Sequence, residues 1–175
     1  MAGAEDVAIV GYGGRLPGGN SIDGFWELLR ANKSAIGWIG PDRFPTAAFH
    51  HPSKEQSGRA YTFAAGLTDD IWGFDAAAFG MSPREAEQVD PQQRHLLEVA
   101  YDALTHAGIR PSSLPGSSAG VYVGASSVDY GARFFADPSA ADVHMMTGNT
   151  LSVIANRLSH NLDLHGPSFT VDTAC

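Results

Sequence analysis

Pro83 and Pro91, each directly behind a side chain that caps helices, constrain this chain more than any other feature. Ser82-Pro83-Arg84-Glu85 offers a cap hydroxyl, a proline at the first helical position and a glutamate able to reach back to the cap amide. Asp90-Pro91-Gln92-Gln93 repeats that grammar. Proline cannot donate to the carbonyl four residues back, so Pro91 must end one helix and begin the next. Behind it, Leu96, Leu97, Ala100, Ala103, Leu104 and Ala107 share one face. Gly108 supplies a left-handed stop, Ile109 its accompanying apolar contact, and Pro111 bars continuation.

Strand signals flank these helices. Val7-Ala8-Ile9-Val10 followed by Gly11-Tyr12-Gly13-Gly14 predicts a buried strand leaving through a glycine-rich turn. Ser21 is placed to cap a helix carrying Ile22, Phe25, Trp26 and Leu29, with Phe25 and Trp26 expected in the core. Residues 35–80 read as an irregular insertion holding one short strand near Tyr61 to Leu67. Gly120-Val121-Tyr122-Val123-Gly124 predicts a second buried strand. Thr147 is expected to cap a helix with Leu151, Ile154, Ala155, Leu158 and Leu162 inside. Gly166-Pro167 breaks it, and Ser168-Phe169-Thr170-Val171 forms a third strand. Strands alternating with helices predict an α/β layered fold around a largely parallel sheet.

The hydrophobic share of 43% and charged share of 17% over 175 residues suit a folded domain with its own core. A net charge of -8, with cations scattered rather than clustered, argues against nucleic acid or an anionic membrane as partner. Met1 to Val10 lacks a basic stretch followed by a long apolar one, so no secretory leader is expected, and no run is long enough for a membrane helix. The single cysteine, Cys175, cannot close an internal disulfide, and a cytoplasmic location follows as the expectation.

Cys175 has two readings. One is a small buried hydrophobe. The other is a nucleophile at the carboxyl end of a strand, where a helix beginning just past it would favour the thiolate and supply amides to an oxyanion. Several glycines and histidines invite readings that fail. Gly11-Tyr12-Gly13-Gly14 lacks the third dinucleotide-binding glycine, because Leu16 and then Pro17 stand there. His50 and His51 are adjacent and have no ligand-spaced neighbour, so no metal site is expected. The remaining histidines, His95, His106, His144, His160 and His165, read as solvated or core side chains, and Asp69, Asp70 and Asp75 show no acid–base pairing.

Local sequence separates the two readings of Cys175. The segment Gly166-Pro167-Ser168-Phe169-Thr170-Val171-Asp172-Thr173-Ala174-Cys175 resembles the active-site stretch of β-ketoacyl synthases. Asp90-Pro91-Gln92-Gln93-Arg94, preceded by Phe74-Asp75-Ala76-Ala77-Ala78-Phe79-Gly80-Met81-Ser82-Pro83-Arg84-Glu85, resembles the signature of that domain in modular type I polyketide synthases. Ile9-Val10-Gly11 with Arg15-Leu16-Pro17-Gly18-Gly19, the strand at Gly120 to Gly124, and Ala155-Asn156-Arg157-Leu158-Ser159 match as well, in family order from about Asp6 onward.

The resemblance implies the N-terminal half of a thiolase-like fold, a layered α/β/α arrangement, over 1–175. It implies an acyltransferase in which Cys175 takes an acyl group from the phosphopantetheine arm of an acyl carrier protein, with no cofactor bound directly. A malonyl-type extender then decarboxylates and condenses with the acyl-cysteine. Two histidines used by the family for that step follow the cysteine in chain order and map to no residue of 1–175. The C-terminal half is therefore expected to lie outside the chain, and the chain alone is expected to be inactive. A rival reading is a non-catalytic half-domain that only pairs with a complementary chain. Decarboxylating or chain-length-setting relatives carry another residue there, often glutamine, so Cys175 favours the condensing type. Val128-Asp129-Tyr130-Gly131-Ala132-Arg133-Phe134-Phe135 also resembles the family, its aromatics packing either at a homodimer contact in the intact protein or in the core.

Overall fold

A computed structural model describes residues 6–172 and Ala174, and divides the chain into two compact units. The first is residues 14–70. It opens with helix α1 (Ile22–Arg30), capped as expected by Ser21, whose hydroxyl accepts from the Gly24 amide at 3.1 Å. Asp23 in the first turn and Arg30 in the last both complement the helix dipole. The packed arc of α1 runs through Ile22, Gly24, Phe25 and Leu28. Trp26 lies outside that arc and is 59% exposed, which corrects its expected place in the core.

Strand β1 (Ile36–Trp38) pairs antiparallel with β2 (Ala64–Gly66), in the register Ile36↔Gly66 and Trp38↔Ala64. β2 falls inside the span expected for a strand; its partner β1 stands in a stretch that reads as irregular. The three-residue length of each strand explains why no alternation shows in the sequence. Between them, α2 (Thr46–Phe49) brings Phe49 to 5.3 Å from Phe44, whose other ring neighbour, Phe63, is at 5.7 Å. Arg43 closes the loop by donating to the carbonyls of Thr68 and Asp69 at 2.7 and 2.6 Å.

The second unit holds residues 6–13 and 71–174 among those described. Helix α3 (Pro83–Gln88) is capped by Ser82, which accepts from the Glu85 amide at 3.1 Å, and α4 (Pro91–His106) by Asp90, which accepts from the Gln92 amide at 2.8 Å. The chain leaves helical geometry at Val89 and Asp90 between them, as Pro91 requires. Gly108, at φ +68°, provides the left-handed stop, and the Ile109 amide returns to the Leu104 carbonyl at 2.9 Å.

Strand β3 (Val121–Gly124) follows, then the short helices α5 (Ala132–Ala136) and α6 (Met145–Gly148), the helix α7 (Leu151–Asn161), and β4 (Ser168–Val171). β3 and β4 pair in parallel from Val121↔Ser168 to Gly124↔Val171. α7 covers one face of that pair, and Leu97, Val121, Ala155, Leu158 and Leu162 form the buried cluster between α4, α7 and β3. On the opposite face Tyr122 and Phe169 meet edge to face at 5.0 Å and stay largely open. The aromatics of the 128–135 segment divide: Phe134 is 2% exposed and closes the core, whereas Phe135 is 80% exposed.

Three expectations are corrected. Val7 and Ile9 are 92% and 88% exposed, and no strand pairs with residues 7–10 among the described residues. An apolar run becomes a strand only when a neighbour takes its backbone groups. The following glycines serve contact rather than turning: a Cβ on Gly11 would meet the Ala103 carbonyl, and one on Gly13 would stand 2.7 Å from the Val99 carbonyl. Thr147 does not cap α7. It lies within α6, and Thr150 holds the cap position without a side-chain bond to the helix amides. The Gly148 carbonyl accepts from the Asp90 amide at 2.9 Å, which pins the chain there and delays the next helix. α7 itself ends before Gly166-Pro167, at Asp163 with φ +49°. Gly166 is required for a different reason, since a Cβ there would strike the carbonyls of Ser118 and Ala119.

Candidate active site

The carboxyl ends of β3 and β4 lie side by side, with the Ala125 amide donating to the Val171 carbonyl at 3.2 Å. Ligand and reaction sites of α/β folds gather at such strand ends. Beyond β4, the Asp172 carboxylate accepts from the Ala174 amide at 2.9 Å, and Ala174 takes a left-handed φ of +61°. Alanine in that region is strained by about 1 kcal/mol relative to its ordinary conformations. Cys175, the sequence-predicted nucleophile, lies outside the described residues, as does Thr173. The loop after β3 is tied to the start of α4, because the Gln92 side-chain amide donates to the Ser127 carbonyl at 2.9 Å.

Two hydroxyl contacts hold β4 to α7. Ser159 Oγ and Ser168 Oγ stand 2.7 Å apart, and Thr170 Oγ1 accepts from the Ala155 amide at 3.2 Å. Residues 168 and 170 point to one face of the strand, the face that α7 covers.

A buried polar seam lies behind α7. Arg157 Nε donates to Gln93 Oε1 at 2.6 Å, and its Nη1 donates to Glu85 Oε1 at 3.0 Å. Glu85 therefore faces Arg157 rather than completing a reciprocal cap at Ser82. Gln93, only 2% exposed, donates onward to the carbonyls of Thr147 and Gly148 at 3.1 and 2.9 Å. Asn149 donates to the carbonyls of Gln88 and Met145, both at 2.8 Å. Arg94 is 5% exposed and donates to the Trp72 carbonyl at 3.2 Å. Burial lowers the guanidinium of Arg94 from its ordinary range, and burial raises the carboxyl of Asp90.

In the sequence, Asp90 and Pro91 read as a helix start and Ala155 and Leu158 as core, whereas Gln93, Arg94 and Arg157 carry resemblance without an evident physical task. One signal was available: Gln93 falls four residues before Leu97, so a polar side chain heads the buried stripe of α4.

His50 packs edge-on to Trp38 at 5.2 Å, and His106 packs against Tyr12 at 4.0 Å. Among the described residues, no three His, Cys, Asp or Glu side chains converge as a metal site would require. Asp75 accepts from the Ala78 amide at 3.1 Å, a turn-capping role. An open apolar cleft of about 370 Å³ is lined by Val10, Ala103, Leu104, Val121 and Leu158 among others, and brings no titratable group together. No helix among the described residues is long and apolar enough to cross a membrane.

The family model described as "Beta-ketoacyl synthase, N-terminal domain" matches residues 4–175. A phenolphthiocerol/phthiocerol polyketide synthase of Mycobacterium tuberculosis is 46% identical over 100% of the chain, which covers 11% of that protein. Polyketide synthase GfsB of Streptomyces halstedii is 43% identical over 98% of the chain, which covers 3% of it. Among solved structures, an oxazolomycin ketosynthase domain of Streptomyces albus superposes with a TM-score of 0.83 at 30% identity, over 94% of this chain and 28% of that one. The ketosynthase from module 6 of the bacillaene synthase of Bacillus subtilis 168 gives a TM-score of 0.80 at 33% identity, over 96% and 26%. The chain thus spans a small part of the curated relatives and about a quarter of the solved domains.

Proposed function

The chain belongs to the β-ketoacyl synthase family as its N-terminal domain, and from that premise we propose that it supplies the acyl-carrying half of a condensing enzyme of polyketide biosynthesis. The observation that carries this reading is the parallel pair β3–β4, gripped by α7, whose β4 lies within the Gly166–Cys175 stretch holding the sole thiol of the sequence.

In the proposed reaction the Cys175 thiolate attacks the acyl thioester on the phosphopantetheine arm of an acyl carrier protein. The carrier thiol leaves, and the acyl group rests on sulfur. One thioester replaces another, so the step is close to balanced, and a thiolate is a good nucleophile near neutral pH. A malonyl-type thioester on a carrier then loses carbon dioxide. Its carbanion attacks the acyl-cysteine carbonyl, forming a carbon–carbon bond and returning the cysteine as thiolate. The family's decarboxylating histidines follow the cysteine in chain order and map to no residue of 1–175. The complete domain is proposed to be a layered α/β/α homodimer of the thiolase-like type, working in the cytoplasm without a directly bound cofactor. The open Tyr122–Phe169 face is consistent with a further layer over β3 and β4.

Intact-mass spectrometry of the protein as its gene encodes it, after incubation with an acyl-loaded carrier protein, tests the reading. A gain of one acyl group that Cys175→Ala abolishes is the expected result. No gain, or a gain that survives Cys175→Ala, overturns it.

A further inference from the structure

We propose that Arg157 is a positioning residue for the nucleophile: by locking α7 against α3 and α4, it fixes the strand that delivers Cys175. This rests on Cys175 being the acyl acceptor. Arg157 is largely covered and reaches two acceptors on two other helices, Gln93 of α4 at 2.6 Å and Glu85 of α3 at 3.0 Å. Gln93 in turn holds the end of α6 through the Thr147 and Gly148 carbonyls. The planar guanidinium fork therefore sets α7 in both rotation and height, which a point charge on a flexible stem cannot reproduce.

The opposite side of α7 grips β4. Arg157 lies between Ala155, whose amide donates to Thr170, and Ser159, whose hydroxyl meets Ser168. Both strand partners are hydroxyls, at alternate positions on one face. These bonds have narrow geometric tolerance, whereas the apolar contacts of Leu158 and Ala155 would accept small slides of the helix. A slip of α7 would thus be passed to β4 and to the turn at Asp172 and Ala174, which immediately precedes Cys175. Attack on a thioester is sensitive to such slips, a displacement of about 1 Å being worth about 100-fold in rate.

The experiment measures single-turnover acylation from an acyl-loaded carrier protein, using the protein as its gene encodes it. Arg157→Lys keeps the charge and loses the fork; Thr170→Val keeps the shape and loses the acceptor hydroxyl. Each is expected to slow acylation at saturating carrier by about 10- to 100-fold. The half-saturating carrier concentration should stay unchanged, with rates read well below each variant's thermal midpoint so that lost stability does not enter them. Because both act through α7, the double variant should be no slower than the more severe single one. Native acylation rates in both single variants, losses that multiply in the double variant, or a change confined to half-saturation would overturn the proposal. Should Arg157→Lys fail to fold, Thr170→Val alone decides, a native rate counting against it. Failure of the underlying reading is seen separately, as acylation that persists in Cys175→Ala with Arg157 intact, and it removes this proposal too.

Discussion

Residues 14–70 and the remainder of the chain are held by different means. Within 14–70 only Thr46 is buried; Trp38 and Phe44 each meet Phe63, and Phe44 meets Phe49, while Trp38, Phe44 and Phe49 each remain 40% exposed or more. Elsewhere Leu97, Phe134, Ile154 and Ala155 are enclosed, and polar Gln93, Arg94 and Ser159 are enclosed with them. The first region is organised mainly by short turns and a few ring contacts. The second is organised by side chains that meet across many residues, as Glu85 meets Arg157. Sites demanding fixed geometry belong in the second kind of region, because packed interiors resist graded deformation.

The contrast can be broken by mutation. Leu97→Ala should cost about 3 kcal/mol, the usual range for a fully enclosed leucine, while Phe63→Ala should cost less than half of that. Urea midpoints at unchanged slope would measure both, and equal losses would erase the distinction. Gly148→Ala comes next, at about 2 kcal/mol, because its Cβ would press on the backbone of Gln88 and Val89. A native melting temperature for that variant would show the α6 end to be more yielding than described.

Helix caps should not distinguish the regions, since a cap is a local bond. Ser21→Ala and Ser82→Ala are each expected to cost about 1 kcal/mol, readable as matched shifts in denaturation midpoint. The smallest effect concerns Asp142. Burial acts to raise its carboxyl, but the His144 amide and the Arg84 guanidinium outweigh this and hold it below its ordinary 3.8. A carboxyl lowered on folding adds stability above 3.8 that is lost as the pH falls through its folded value. Asp142→Asn should flatten that acid limb in thermal melts from pH 6 downward, and an unchanged limb would deny the ion pair any share.

Legibility from sequence followed the range of the interactions. Ser21, Ser82, Asp90 and Gly108 act on amides or turns within a few residues, and each performs the task that its local sequence predicts. The strands at 121–124 and 168–171 were legible because β-branched and aromatic residues sit between glycine and proline stops. What failed needed a distant partner. Glu85 has two possible acceptor roles, and only the position of Arg157 decides between them. Thr147 reads as the cap, yet the bond from the Asp90 amide to the Gly148 carbonyl holds it within α6 and moves the start of α7 past Thr150. Residues 7–10 carry the composition of a strand without a partner that composition could name. For the site, local sequence singles out Cys175 through its motif, a residue outside the described ones, whereas the Arg157 seam is visible only once four helices are in place.

The parallel pairing of β3 with β4 also says something about the order in which the chain acquires structure. Gly124 and Ser168 are joined through residues 125–167, so this ladder closes a long loop before any of its bonds form. α4 and α7 can each form locally beforehand, and α7 presents both hydroxyl-bonding positions to the arriving strand. High contact order therefore falls on the one sheet that faces the proposed chemistry. Helix formation should precede it in refolding, and mutations in β4 should alter mainly the late, rate-limiting closure while leaving the early helical signal intact.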